Sequence, residues 1–302
     1  MAAGTNLRET MDFDPSSPSN SVSVIIPVYN GAKFIAQTLD SILAQTVLPT
    51  EIIVVNDGST DESASIVRGF GQPLTLIDTP NGGPAVARNI GVSKATGNWV
   101  AFCDGDDLWL PTKLEKQLRL ANEAPEIHCV ITDFVAFTDG VLGERSHFSY
   151  KPDDYWVQEP LRSGFVIRKP ITGKLTTYQP GITSTPMVQR SFYLEVGGFD
   201  EDETRCSAED TCFHFRYLSV VPFGVVPEVL MHYRRHPASF SADNLKQLRN
   251  TVTVWEHIIA RYPQAQPYRS ELLHGLASMK KEVSETARYQ RRQKLKSLLR
   301  VS

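Results

Sequence analysis

Two short apolar runs, Ser21 to Pro27 (SVSVIIP) and Glu51 to Asn56 (EIIVVN), constrain the fold more than any other feature of the chain. Each is continuous and β-branched rather than alternating, the pattern of a strand buried on both faces of a parallel sheet. Between them Ile35, Leu39, Ile42 and Leu43 recur at helical spacing and stop before Pro49, so the first unit reads strand, helix, strand. Leu74 to Asp78 suits a third strand, and Pro84 suits the first turn of a helix through Val86 and Ile90 to about Lys94. Trp99 to Cys103 is the next strand. Ser59 with Glu62, and Thr112 with Glu115, have capping-box spacing; the second precedes a helix with Leu114, Leu118 and Ala121 on one face. Ile127 to Phe137 closes about 120 residues of alternation. Right-handed crossovers then favour an α/β fold with a doubly wound, mainly parallel sheet.

Beyond it the pattern changes. Thr138 to Pro180 is irregular and rich in Gly, Pro, Asp and aromatic residues, as functional loops often are. Ile182 to Val188 reads as a strand, Ala208 to Leu218 as a helix, and Phe223 to Val229 and Leu230 to Tyr233 as two more strands. From Phe240 onward the periodicity is helical, with Leu245, Leu248, Val252, Trp255 and Ile259 on one face and one or two further helices from about Tyr268. The expected organisation is a disordered Ser- and Pro-rich leader over 1–20, an α/β domain over 21–240 and a helical C-terminal extension over 241–302.

Composition excludes some classes. A hydrophobic content of 41% over 302 residues supports a real core, and a formal net charge of −3 gives no case for nucleic-acid binding. The charge is uneven: Lys280 to Ser302 holds eight basic residues against Glu282 and Glu285, so the body carries the negative balance. The cysteines at 103, 129, 206 and 212 lack metal-site spacing and read as reduced thiols. With no signal-peptide core and no apolar run near the length of a membrane span, the expected location is the cytoplasm, with at most peripheral contact on the inner face of a membrane.

The chemistry concentrates in Gly97 to Pro111, GNWVAFCDGDDLWLP, where a buried strand ends in Asp104, Asp106 and Asp107. An Asp after a strand commonly caps a turn. Three within four residues would repel one another unless a cation or strong donors neutralise them, and oxygen ligands favour Mg2+ or Mn2+. In an open parallel sheet, this carboxyl edge is where ligands bind.

At these motifs the sequence resembles the family 2 glycosyltransferases of the GT-A fold. VSVIIPVYN, IIVVNDGSTDES, NGGPAVARNIGVSKATG, VAFCDGDDLW, GGFDE and AEDTCFHFR occur in that order across about three quarters of the chain. The resemblance implies a Rossmann-like nucleotide-sugar-binding half over 21–137, an acceptor-binding half over 138–240, a nucleoside-diphosphate sugar donor with uracil as the favoured base, a divalent cation (Mn2+ or Mg2+), and inversion by direct displacement. It implies that Asp106 binds the metal, that Asp104 lies near the metal or the ribose, and that Asp210 is the base that takes the acceptor hydroxyl's proton. Asp107 fits a structural turn. Pro27, Tyr29 and Asn30 stand where a nucleoside would lie. On the residues alone Tyr29 suits edge packing as well as base stacking; the resemblance implies stacking. Asp57 is implied to accept from the base's ring N–H, and Arg88 to reach a base or phosphate. His236, in preference to His232, is implied at the metal or diphosphate beside Arg234 and Arg235.

Other residues keep two readings. Asp210 with Ser207 also has capping-box spacing. Trp109 suits a pocket wall or the core, and Tyr150, Tyr155, Trp156 and Tyr178 are positioned to line an acceptor groove. The tail from Arg288 to Ser302 suits either a solvated helix or a basic amphipathic helix resting on anionic lipid, which would suit a lipid-linked acceptor; a glycan or another hydroxyl acceptor fits either reading. Two other classes compete. A sugar-nucleotide nucleotidyltransferase would need a Gly-rich basic loop after the first strand, and PVYNGAKF is not one; a non-catalytic binding protein would have no need of Asp210.

Overall fold

A computed structural model describes residues 13–71, 73–202, 209–237 and 243–299. The chain opens with β1 (Val22–Val28), α1 (Ile35–Leu43), β2 (Glu51–Asp57), α2 (Ser63–Phe70), β3 (Leu74–Thr79), α3 (Pro84–Lys94) and β4 (Trp99–Phe102), the predicted alternation. A short β5 (Leu108–Trp109), α4 (Lys113–Glu123) and β6 (Cys129–Thr138) follow. The less regular segment contains β7 (Val141–Leu142), β8 (Gln158–Leu161), β9 (Gly164–Ile167) and β10 (Met187–Gln189), then α5 (Arg190–Glu195) and α6 (Glu209–Leu218). β11 (Phe223–Arg234), α7 (Asn244–Arg261) and α8 (Arg269–Leu299) complete the chain.

One sheet runs in the order β3-β2-β1-β4-β10-β6-β11-β9-β8. β3, β2, β1 and β4 pair in parallel, and β6 pairs in parallel with β11. β10 lies between the two groups, antiparallel to both β4 and β6. All six main strands therefore point the same way, and their carboxyl ends share one edge. Successive β1 residues face opposite cores: Ile25 joins a cluster with Val55 and Phe102, while Val24 and Ile26 join one with Val54 and Ala101. Both faces being buried is why the run does not alternate. α3 approaches closely because Gly91 has no side chain; a Cβ there would stand 2.4 Å from Ile25.

Several local expectations are corrected. Residues 138–180 are not structureless, because the hairpin β8–β9 extends the sheet from β11. The strand expected over Ile182 to Val188 shrinks to β10, since Thr185 N–H closes a turn on the Ile182 carbonyl at 2.9 Å. The two strands expected over 223–233 are one, β11, with irregularities between Val226 and Met231 around Pro227, which cannot join a ladder as a donor. Ser59 does not cap α2: it accepts from Asn30 N–H, and Asp61 Oδ1 takes the Ser63 N–H at 3.0 Å. Thr112 stands at the cap position of α4 without a side-chain cap bond, and Glu115 binds Thr46 and Arg119 instead. Of the expected leader, residues 1–12 lie outside the described residues, while Ser19 accepts from the Trp99 indole N–H and Phe13 lies under Arg119.

The helical extension is anchored to the α/β body. Trp255, Ile258 and Ile259 of α7 are buried in the core, and Tyr262 donates to Asp200 at 2.6 Å while accepting from Arg216 at 3.0 Å. Cys103, Cys129 and Cys212 are buried free thiols; Cys206 is outside the described residues. No described helix is long and apolar enough to cross a membrane.

A buried lysine is an unexpected feature of α4. Lys113 lies over the Trp109 ring, 4.1 Å from its centre, and its Nζ donates to Gln117 Oε1 at 2.9 Å. Burial disfavours its charge and lowers its pKa to about 7. The unfolded chain then binds this proton more strongly than the fold does. Stability should rise with pH from 7 to about 10, at up to about 1.4 kcal/mol per unit from this group. Denaturant midpoints measured across that range for the wild type and Lys113→Met should diverge, the variant being flatter; parallel curves would refute the assignment.

Candidate active site

The three acids after β4 go in three directions. Thr38 of α1 shapes the loop by donating to the carbonyls of Gly105 and Asp107. Gly105 fits because a Cβ there would lie 3.2 Å from the Pro27 carbonyl. Asp107 is fully buried, with Oδ2 accepting from the Ser184 hydroxyl at 2.6 Å and Oδ1 from Arg234 N–H at 3.0 Å. Burial, then the charges of Asp106 and Asp104, push its pKa well up. It ties the ends of β4 and β11 to the turn before β10. Its structural reading is sharpened: it joins three segments rather than capping one turn.

Asp104 faces α3 and α6. Arg88 is 4% exposed, and its guanidinium donates to Asp104 Oδ1 at 2.6 Å and to Glu209 Oε1 at 2.8 Å. Burial opposes its charge, but the two carboxylates outweigh burial and hold its pKa above the ordinary arginine value. This corrects the expectation that Arg88 reaches a base or phosphate: its terminal nitrogens face two carboxylates inside the fold. Glu209 and Asp210 open α6, and Asp210 Oδ1 accepts the Thr211 N–H at 2.7 Å. Burial raises the Asp210 pKa and Arg88 opposes it. Ser207, the other half of its capping pattern, lies outside the described residues. Arg88 thus brings the start of α6 to the end of β4 across about 100 residues of sequence.

Asp106 faces the end of β11. His236 Nε2 lies 3.0 Å from its Oδ2, and the two side chains are 16% and 30% exposed, so the pair reaches solvent. His232 instead lies in β11, beside Phe137 and paired with β5, which separates the two candidate histidines. Arg234 is held between Phe34 and Phe137, at 4.8 and 4.5 Å, and donates to the Asp106 carbonyl at 2.6 Å and Gln37 at 2.9 Å. It braces the acid loop. Arg235 is exposed, with its N–H on the Phe137 carbonyl.

Asp106 and His236 offer one oxygen and one imidazole nitrogen to a divalent cation. Burial and the neighbouring Asp104 charge raise the Asp106 pKa, so a cation there would relieve unfavourable negative charge. Among the described residues no three His, Cys, Asp or Glu side chains converge as a complete ligand set. The pair fits an ion that takes its other ligands from substrate phosphate and water. Arg88 holds Asp104 Oδ1, while the Asp104 charge still acts on Asp106.

The nucleoside edge is partly as expected. Tyr29 is 55% exposed at the exit of β1, open to stacking, with Pro27 half-buried behind it. Asn30 takes a left-handed conformation (φ 49°), and its Oδ1 accepts from Thr60 N–H at 2.8 Å, so it shapes the loop after β2. Asp57 is buried; Oδ1 and Oδ2 accept from the N–H groups of Gly82 and Gly83 at 2.7 and 2.9 Å. Both carboxylate oxygens therefore hold the glycine turn before α3, leaving only their second lone pairs for a base. Gly58 allows the sharp turn, with φ 73° and space for a Cβ only 2.8 Å from Asn81 N.

Two of the four aromatic residues expected to line an acceptor groove belong to the core, and Trp109 takes its core alternative. Trp109, Tyr155 and Trp156 are buried. Tyr178 stacks on His147, which stacks in turn on Phe134, while Tyr150 is exposed under Arg145. Sequence reasoning missed the role of Glu209, Ser184 and His214. His214 lies one helical turn after Asp210, and burial holds it neutral with a pKa of about 3. Glu209 had the adjacent Asp210 as a signal, but Ser184 and His214 had none before their neighbours were known.

A family model described as glycosyl transferase family 2 matches residues 23–185. An uncharacterised glycosyltransferase of Rickettsia typhi is 32% identical over 243 residues, 80% of this chain and 72% of that protein, and one of Rickettsia prowazekii is 31% identical with the same coverage. Among solved structures, S. aureus TarS 1–349 in complex with UDP aligns with a TM-score of 0.60 at 21% identity, covering 85% of this chain and 70% of that one. Its complex with UDP-GlcNAc gives 0.62 at 18%, with 85% and 71% covered. The fold is that of these GT-A proteins, and the chain is a glycosyltransferase belonging to glycosyl transferase family 2.

Proposed function

We propose that this glycosyltransferase moves a sugar from a UDP-sugar to a hydroxyl of a glycan, glycolipid or other glycoconjugate acceptor, with inversion at the anomeric carbon. The observation that carries the reading is the Arg88 bridge, which joins Asp104 of the acid loop to Glu209, the residue before Asp210 at the start of α6. Tyr29 stacks on the base, and the open lone pairs of Asp57 accept from its ring N–H. Asp106 and His236 are the residues that would hold a divalent cation. When bound, that cation stabilises charge gathering on the leaving group. Asp210 takes the acceptor hydroxyl's proton as its oxygen attacks the anomeric carbon opposite the departing diphosphate. The raised pKa of Asp210 suits a base that must hold a proton after the attack.

The TarS structures in complex with UDP and with UDP-GlcNAc support uridine as the nucleoside. Release of nucleoside diphosphate from a panel of UDP-, GDP- and dTDP-sugars, with Mn2+, Mg2+ or chelator, tests the reading. UDP-sugars should be preferred, and chelator should lower turnover by at least about a hundredfold, the scale of losing one strong electrostatic stabiliser. Full activity in chelator would remove the metal role of Asp106 and His236.

A further inference from the structure

A second charged feature lies away from the acid loop. A cleft of about 500 Å³ between α7 and α8 is lined by Arg249, Arg288 and Arg291 with Leu245, Ala287 and Gln290, and by no carboxylate. Of the acids on and beside these helices, Glu256 pairs with Lys280 at 2.6 Å, Glu285 lies 3.9 Å from Lys281, Asp243 caps α7 by accepting from Lys246 N–H at 3.0 Å, and Glu282 is exposed without lining the cleft. None of the three arginines has an ion pair or a side-chain hydrogen bond among the described residues. Three like charges converging without counter-ions repel one another, and guanidinium groups match phosphate oxygens in paired geometry. Leu245 and Ala287 give the same cleft an apolar wall. An amphiphile with an anionic head satisfies both.

We infer that the cleft between α7 and α8 is a binding site for a phosphate ester, and that its occupant is the head group of an anionic phospholipid at a membrane surface. The site is separate from the transfer chemistry and does not depend on its assignment. It differs from a diffuse attraction between a basic tail and a membrane. It uses Arg249, which belongs to α7, and it places three unpaired charges around one volume.

The full chain is mixed with vesicles of phosphatidylcholine alone or with added phosphatidylglycerol, and bound protein is measured by sedimentation. Wild type should bind the anionic vesicles and not the neutral ones. R249Q/R288Q/R291Q should bind about a hundredfold more weakly, about 3 kcal/mol at roughly 1 kcal/mol per basic residue. K280Q/K281Q, which removes charges already paired with acids, should lose less than about threefold. Equal losses per charge in the two variants would overturn the cleft as a site. Soluble glycerol phosphate separates the sources of the phosphate. If it protects the wild type but not the arginine variant from thermal unfolding, while both bind vesicles equally, the occupant is a free phosphate ester and the membrane assignment fails. Thermal unfolding of each variant without ligand, expected to match wild type because these side chains are exposed, excludes misfolding as the cause.

Discussion

Asp210→Asn lowers kcat by about a hundred- to ten-thousandfold, the range for loss of a general base, and leaves UDP affinity within about twofold. The substitution is nearly isosteric and keeps the oxygen that accepts the Thr211 N–H, so α6 retains its first turn. What disappears is the capacity to take a proton. Glu209 cannot substitute for it, because its carboxylate is held by Arg88 at 2.8 Å. Isothermal titration with UDP and single-turnover measurement with the preferred donor separate binding from chemistry. Retained turnover would show that Asp210 only begins the helix. The wild-type kcat/KM should also rise with pH through the elevated pKa of Asp210, since only the carboxylate can act as base.

Arg88→Met destabilises the fold by about 3–5 kcal/mol, the cost of removing one partner from a buried charge cluster. Asp104 and Glu209 would face one another across a buried space with no cation between them, and Glu209 is already pushed towards protonation by burial. Arg88→Lys keeps the charge, but an ammonium lacks the planar fork that reaches both carboxylates. It should fold better than the methionine variant. Because Arg88 holds the Asp210 pKa down against burial, loosening it should move the acid limb of kcat/KM to higher pH. Urea denaturation and a pH–rate profile measure the two effects. A methionine variant with wild-type stability, or a lysine variant with an unshifted limb and unchanged kcat, would refute the bridge as the link between the two halves.

The first half of the fold was legible because its strands are buried on both faces. The central positions of β1 and β2, Val24 to Ile26 and Ile52 to Val55, are apolar on both faces, and the helix between them shows the 3.6-residue period, so type and order follow from pattern. The hairpin β8–β9 was not legible. QEPL is polar and exposed, contains a proline, and joins the sheet only through β9, which pairs with the edge of β11. Capping boxes failed for the same kind of reason. Ser59 and Glu115 have the right spacing, but partners from other segments, Asn30 and Thr46, compete for their side chains.

Within the site, the sequence determined which residue types stand at which strand ends: carboxylates after β4, an exposed tyrosine after β1, a histidine after β11 and an acid pair at the start of α6. Spacing along the chain carries that information, since strand direction places each exit at one edge. Tertiary structure decided what each carboxylate does. Asp104, Asp106 and Asp107 are neighbours in sequence with the same chemistry, yet one meets Arg88, one meets His236 and one is sealed by Ser184 and Arg234. A carboxylate's role depends on the charge and donors that surround it. Here those come from residues between 16 and 130 positions away, which only folding brings within hydrogen-bond distance.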